Sequence, residues 1–543
     1  MDSKLEKVDD LENEIGLVPS KSVGEVDNLT RVETKRGLKS RHSQMIALGG
    51  TIGTGFFLGS GQSLSLGGPL FLLLGYTLLT LLVLVIVKCT TEFTSYLPVP
   101  GSSVPYFALR FGSKSMGFAL GWMYYYIFAI TVPSEITAAG LVIEYWNTNV
   151  SIAVWITIML VVIVGLNCFP VNVYGETEFW FASIKVFGIL GLFVMALVIT
   201  CGGAPDHKAI GFAYWHNPGP VNEYILTGAR GRLVAFIATL RYSVFVFAFA
   251  PELLVITAGE MQNPRRNLPT AGRRFFIRLV VFYILGAFLM GLIVASNDSR
   301  LLGGSSDATA SPWAIAAKNA GIKGLDSVIN VVILLSAWSA GNSWLYLAVR
   351  TLYSMAHMGI APKIFQRCTA SGIPYYSLAF TSLFSLLAYM NVSSSTATVF
   401  NWFVNLINSG GYLSWVCVCV IYIRFRKASL AQEITDLLPF RARFQPYITW
   451  VAGIILFLLL LLNGFTVFFP GHWSFSTFIT SYIGIPLFLA FYFGHKIFFA
   501  WNEPWWIPPH EVDLQTGLQA IIDEEIPPSS GGKWADRFRS LFE

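Results

Sequence analysis

Charge is what this 543-residue chain has least of. Asp, Glu, Lys and Arg together make up 12% of it, where soluble domains run near 25%, and hydrophobic residues make up 54%. Such a surface cannot face water, which excludes a soluble globular fold. The six cysteines are scattered, five of them (Cys89, Cys168, Cys201, Cys417 and Cys419) in or beside apolar runs, so neither a disulfide framework nor a metal cluster is expected. Cys417 and Cys419 stand two apart, and on a helix their side chains diverge; a small buried hydrophobe is the expected role. His42, His357 and His495 fall near the ends of apolar runs, and no Ser-His-Asp set, metal-ligand spacing or phosphate loop occurs within them. An enzyme is therefore not expected, nor any cofactor. No cleavable leader is expected, since the chain opens on a polar, mixed-charge stretch up to about Arg41. The net charge of +5 carries no suggestion of nucleic acid, because in a bilayer protein the basic residues report orientation.

What the chain does have is apolar segments of bilayer length. A span needs about 20 residues, and such segments fall at 43–62, 68–90, 117–141, 152–171, 179–201, 233–258, 276–296, 327–354, 376–390, 399–423, 447–468 and 475–499. The expected fold is an all-α polytopic membrane protein with about twelve spans. Residues 1–42 read as a cytoplasmic, disordered tail, 43–499 as the membrane domain, and 500–543 as a cytoplasmic C-tail. With the N-terminus inside, the inner loops hold Arg110 and Lys114; Arg265, Arg266, Arg273, Arg274 and Arg278; Arg350, Lys363 and Arg367; and Arg424, Arg426, Lys427, Arg441 and Arg443. The acids Asp206, Glu223, Asp298 and Asp307 fall outside, so both termini are expected in the cytoplasm. The sequons at Asn149, Asn297 and Asn391 all fall in outer loops on this assignment.

Two spans are interrupted. Span one carries Gly49-Gly50-Thr51-Ile52-Gly53-Thr54-Gly55, four glycines in seven residues, where each interior glycine costs a helix about 0.5–1 kcal/mol. Span six carries Phe249-Ala250-Pro251-Glu252, where proline removes a helical hydrogen bond and clashes with the preceding turn. Unpaired backbone groups in hydrocarbon cost several kcal/mol each, so breaks persist only where protein, water or ligand supplies partners. A half-helix that starts after a break aims its N–H groups and positive dipole end at the gap, which suits a carboxylate. A glycine-lined packing face is the other reading of span one. Breaks five spans apart fit two inverted five-helix repeats, 43–201 and 233–423, with two extra helices at 447–499 and a site where the broken helices meet.

Ionisable residues inside spans are costly and usually face a cavity or partner. Three stand out: Glu135 in span three, Lys185 in span five and Glu252 at the break of span six. Each could serve instead as a structural partner to a neighbouring helix. A buried ammonium can occupy the place of a bound cation and load and release a proton during a cycle. Lys88 and Glu92, near the end of span two, read as snorkelling side chains, and Arg241 as lining an outer vestibule.

Several runs resemble the fungal amino-acid permeases of the amino acid-polyamine-organocation superfamily: Arg41 through Gly55; Val173-Tyr174-Gly175-Glu176-Thr177-Glu178-Phe179-Trp180-Phe181-Ala182-Ser183-Ile184-Lys185; Ala258 through Asn267; Ser336-Ala337-Trp338-Ser339-Ala340; and Asn391 through Ala397, with Phe400-Asn401-Trp402-Phe403 beyond. With Pro251-Glu252-Leu253, they look most like the proline-preferring branch, whose members take proline and other small neutral amino acids by proton symport. The resemblance implies that the N–H groups of Gly53, Thr54 and Gly55 hold the substrate carboxylate. It also implies that carbonyls near Ile52 and Phe249 hold the amine, with Phe249 or a neighbour as a gate. By the same likeness Lys185 matches a lysine that replaces sodium, and Glu135 a glutamate tied to substrate recognition. Cys89-Thr90-Thr91-Glu92, Ala248 and Ala250 depart from the family pattern. The expected function is proton-coupled symport of neutral L-amino acids, proline first, across the plasma membrane. A broad-specificity permease and a transporter-like amino-acid receptor are the alternatives. Lysines in the tails are candidate ubiquitin-ligase targets.

Overall fold

The chain divides into two units, Met1–Thr34 and Lys35–Glu543, of which only the second contains described residues. The computed structural model describes residues 53–99, 103–146, 149–247, 251, 252, 255, 258, 261, 263–301, 311–369, 371–523 and 525, all in the second unit. The expected N-tail, Ile52 and Phe249 therefore lie outside the described residues, as does the junction at 248–250.

Among the described residues the secondary structure is helical, with no strand. A π-helical turn at Gly55–Gly59 leads into α1 (Ser60–Tyr96). There follow α2 (Val104–Phe111), α3 (Lys114–Glu144), α4 (Ile152–Asn167), α5 (Val171–Thr200), α6 (Ala213–His216) and α7 (Gly228–Phe247). Pro251, Glu252, Val255 and Ala258 are helical in turn. Then come α8 (Pro264–Leu279), α9 (Leu285–Ile293), α10 (Pro312–Asn319), α11 (Leu325–His357), α12 (Tyr375–Ser385), α13 (Thr396–Ala431), α14 (Tyr447–Leu461), α15 (Phe475–Tyr482), α16 (Gly484–Phe498) and α17 (Leu518–Asp523).

Every expected span has a helical counterpart among these residues. By length and composition, however, six helices can cross a membrane, or seven if α15 and α16, bent by 44°, form one span. The expected twelve are not reached by that measure among the described residues for four local reasons. Spans one and two are two helices joined at a kink at Gly68 and count as one, α4 and α14 are only 16 and 15 residues long, α12 continues as a 3₁₀ segment, Leu386–Val392, and span six is described only in part, α7 ending at Phe247.

The join of spans one and two shows how a break is satisfied. Gly68 adopts φ 80°, a left-handed conformation open to glycine at little cost, and Pro69 follows it. The loop after α6 supplies the missing partners: Leu70 donates its N–H to the Pro220 carbonyl at 2.9 Å, and Asn222 donates to the Gly67 carbonyl at 3.0 Å. A Cβ at Gly68 would stand 2.9 Å from the Pro220 oxygen, so a side chain there would displace the loop.

α3 is the central post, packed along α11 and α13 and almost wholly buried. α5 is half-buried. Trp180, Phe187 and Val194 face outward, whereas Glu178, Ala182, Lys185 and Ile189 share the inner face. Cys89, Cys417 and Cys419 are buried as expected of small hydrophobes, but Cys168 and Cys201 are exposed at helix ends.

Three sequence readings need correction. Glu92 does not snorkel. It is fully buried, 3.1 Å from the Arg426 guanidinium, and accepts from the Tyr422 hydroxyl at 2.8 Å and the Ala442 N–H at 2.9 Å. Arg241 is buried rather than vestibular: it donates to the Asn463 carbonyl at 3.0 Å and lies over the Tyr242 ring. Asn391 is buried too, donating to Thr137 and to the Ala388 carbonyl, so its sequon is closed to a glycan while Asn149 and Asn297 are exposed.

The first part of the expected C-tail is a packed strap. Ile507 donates to the Gly112 carbonyl at 3.0 Å, Gln432 to the Val512 carbonyl at 2.7 Å, and Arg110 to the carbonyls of Asp513 and Thr516 at 2.6 and 2.7 Å. Within the strap Val512 and Leu514 are buried. The Asp513 carboxylate stands 3.0 Å from Arg110. Burial pushes that carboxyl up, but Arg110 and the N–H groups of Thr516 and Gln515 outweigh it and hold it below its ordinary value. A depressed carboxyl contributes stability in full above its unfolded value and loses it as pH falls through the folded one. Amides of the strap, 507–516, should therefore resist hydrogen exchange near pH 7 and open below about pH 4. Protection that is flat across that acid range would contradict the assignment.

Candidate functional site

The polar cluster lies where spans one, three, five and eight meet. Gly53 is a bend, and the helix opens at Thr54 before passing through the π-helical turn Gly55–Gly59. π-turns widen a helix locally and recur at functional sites. Because the first N–H groups of a helix lack intrahelical partners, those at this opening point back past Gly53. The Thr54 hydroxyl donates to Glu135 Oε2 at 2.9 Å. A Cβ built on Gly53 would lie 3.5 Å from Glu135 Oε1 and 3.9 Å from the Ala340 methyl of α11, so span one passes directly over this carboxylate and against span eight.

Gly55 plays another part. Its Cβ would stand 3.1 Å from Val246 Cα and 3.1 Å from Phe245 Cδ1. The packing reading therefore holds for Gly55, where spans one and six cross closely, while Gly53 is the glycine that faces the acid.

Lys185 is buried on the inner face of α5, and two carboxylates act on its charge: Glu178, about two turns earlier on the same face of that helix, and Glu135 across on α3. Glu178 is fully buried and accepts from the Ser339 hydroxyl at 2.8 and 2.9 Å to its two oxygens. It went unnoticed as a site residue because it sits in a polar run near the start of its span. The spacing held the clue: a residue seven before Lys185 lies on the same helical face.

One ammonium and two carboxylates in one buried cluster leave it, when all are ionised, one proton short of neutrality. Burying an uncompensated charge costs several kcal/mol, so the cluster has reason to take up a cation or a proton.

Glu252 is not part of this group. It accepts from the Tyr124 hydroxyl at 2.9 Å and from the Trp415 indole N–H at 3.1 Å, which ties span six to α3 and α13. Tyr124 and Glu135 are eleven residues apart on one helix, or about 16 Å along its axis. The structure thus brings together Gly53, Thr54, Glu135 and Lys185, adds Glu178 and Ser339, and sets Glu252 in a second buried cluster. Ile52 and Phe249 lie outside the described residues.

Comparison with known proteins agrees with this architecture. A solved structure of a mutant manganese transporter from Eremococcus coleocola matches 84% of this chain and 93% of its own length with a TM-score of 0.56 at 13% identity, a likeness of fold. In sequence the chain is 46% identical to a proline-specific permease of Emericella nidulans, covering 93% of this chain and 92% of the relative. It is 42% identical to a proline-specific permease of Saccharomyces cerevisiae, with 93% and 82% covered, and 41% identical to a dicarboxylic amino acid permease of the same yeast, with 92% and 82% covered. The amino acid permease model matches residues 42–508. A multi-pass membrane architecture, a polar cluster buried at the crossing of four spans, and these matches lead to one statement: the chain belongs to the amino acid permease family, a family of transporters and not of enzymes.

Proposed function

We propose that this protein is a proton-coupled symporter of neutral L-amino acids, proline first, in the plasma membrane with both termini in the cytoplasm. The observation that carries the coupling is the cluster of Lys185 between Glu135 and Glu178, beside the helix opening at Gly53 and Thr54. The preference for proline is supported by the two relatives named for it at 42–46% identity. In this reading the N–H groups at Gly53, Thr54 and Gly55 hold the substrate carboxylate. Glu135 orients the substrate through Thr54, and carbonyls near Ile52 and Phe249 take the amine. Glu252 acts at a distance, by fixing span six against α3 and α13. Lys185 stands where a coupling cation would otherwise sit, so no cofactor beyond the proton is required. A proton that descends about 100 mV and about two pH units supplies roughly 5 kcal/mol, enough for accumulation of about 10³- to 10⁴-fold. The tails outside the membrane domain would carry regulation, with their lysines as ubiquitin-ligase targets.

A wider substrate range has one specific observation behind it: the dicarboxylic amino acid permease is almost as similar as the second proline-specific one. Uptake of labelled proline by permease-deficient cells, challenged with unlabelled amino acids, tests both. Competition by proline and small neutral analogues alone supports the narrow reading, whereas equal competition by acidic and basic amino acids supports the broad one. Binding without accumulation would favour a receptor and sink both.

Gly55→Val offers a local check. The added branch must push on the Val246 backbone, an overpacking that costs the fold about 1–3 kcal/mol, and by shifting the helix opening at Thr54 it should weaken apparent proline affinity at normal surface delivery. Unchanged affinity would remove the crossing of spans one and six from the site.

A further inference from the structure

We propose that Glu178 is the group that carries the coupled proton on the cytoplasmic side, taking it from Lys185 and releasing it along Ser339, Ser343 and Tyr174. The inference rests on the symport reading above. Three observations support it.

The first is position. Glu178 lies seven residues before Lys185 on the inner face of α5, toward the end at Val171. Helical side chains lean toward their N-terminus, so the long lysine side chain leans toward Glu178 across about 10 Å of axis.

The second is the character of its partners. Ser339 donates to both carboxylate oxygens, Ser343 stands beside it, and the Tyr174 hydroxyl donates to Ser343 Oγ at 3.2 Å. A hydroxyl both donates and accepts, so these groups can serve a carboxylate or, turned about, a carboxylic acid. The buried Glu92 makes the contrast. Two of its partners, the Arg426 guanidinium and the Ala442 N–H, can only donate, contacts that suit a carboxylate and offer nothing to accept a proton from the acid.

The third is continuity. The hydroxyl line runs from Glu178 through Ser343 to Tyr174, the fourth residue of α5. Tyr346 stacks on Tyr174 with centroids 4.2 Å apart, and Arg350 lies over Tyr346 at 5.2 Å. Of the charged groups around it, Lys185 on its own helix acts on Glu178; α3 contributes Glu135, which acts on Lys185; and α11 contributes Arg350 at the far end of the line.

The step balances. One N–H bond of the Lys185 ammonium breaks as an O–H bond forms on Glu178, and the amine recovers a proton arriving from outside. The loaded cluster, with Lys185 as ammonium, Glu135 as carboxylate and Glu178 as acid, is neutral. Loss of the Glu178 proton to cytoplasmic water returns it to a single negative charge.

Labelled proline uptake in permease-deficient cells tests this with Glu178→Gln. Concentrative uptake should fall at least tenfold and lose its dependence on external pH, while exchange of internal labelled proline for external unlabelled proline continues; Glu178→Asp should restore part of the pH response. Parental accumulation with the parental pH profile in Glu178→Gln would overturn the proposal. Should that variant fail to reach the surface, Ser339→Ala decides. It keeps the carboxylate but withdraws the hydroxyl from both oxygens, and a displaced pH profile is expected; an unchanged profile would also overturn it. If the parent chain neither accumulates proline nor responds to pH, the symport reading itself has failed. A pH-responsive parent matched by its Glu178→Gln variant removes only the role of Glu178.

Discussion

Lys185→Met should reduce the accumulation ratio of labelled proline from as much as about 10³ to near unity, a loss of roughly 5 kcal/mol of coupling. The substitution keeps the length and apolar stem of the side chain, so packing on the inner face of α5 is preserved. What it removes is the charge between Glu135 and Glu178. Two buried carboxylates deprived of their ammonium cannot both stay ionised cheaply, and the proton that would travel is instead retained by the cluster. Substrate exchange should survive, because the backbone groups at the opening of span one are untouched. A variant that still concentrates proline with the parental pH profile would remove Lys185, and the cluster around it, from the coupling step.

Arg426→Met should destabilise the folded protein by about 3–5 kcal/mol, the cost of stranding a buried partner charge. Glu92 is fully buried, and the Arg426 guanidinium stands 3.1 Å from its carboxylate. The contact joins the end of α1 to the end of α13, and the Ala442 N–H draws the following loop onto the same carboxylate. Thermal unfolding in detergent should show a drop of several degrees for Arg426→Met. The double variant with Glu92→Gln should recover much of it, because the stranded charge is then gone. No recovery in the double variant would show that the guanidinium acts through packing alone.

How far the sequence could be read depended on whether a signal was local. The apolar spans and the lone charges Glu135 and Lys185 were visible because hydrocarbon makes any ionisable residue conspicuous. Glu178 was visible as a residue but not as a site, since its meaning lies in a seven-residue offset and in the serines of α11. The strap at 507–516 left no pattern: it has no periodicity, and it is held by its own backbone carbonyls against Arg110 and Gln432, contacts that only the tertiary structure reveals. Glu92 misled for a related reason. Its place near the end of a span suggested water, but the loop after α13 folds over it. At Gly55 the reading divided between a binding and a packing role, and the neighbouring chain at Phe245 and Val246 supports the second.

The central claim is that a proton gradient drives an amino acid through this fold. Purified protein in sealed vesicles, loaded at neutral pH and diluted into buffer about two pH units more acid, should accumulate labelled proline above its external concentration and release it when a protonophore is added. Uptake that only equilibrates, and is indifferent to both the gradient and the protonophore, would contradict the account.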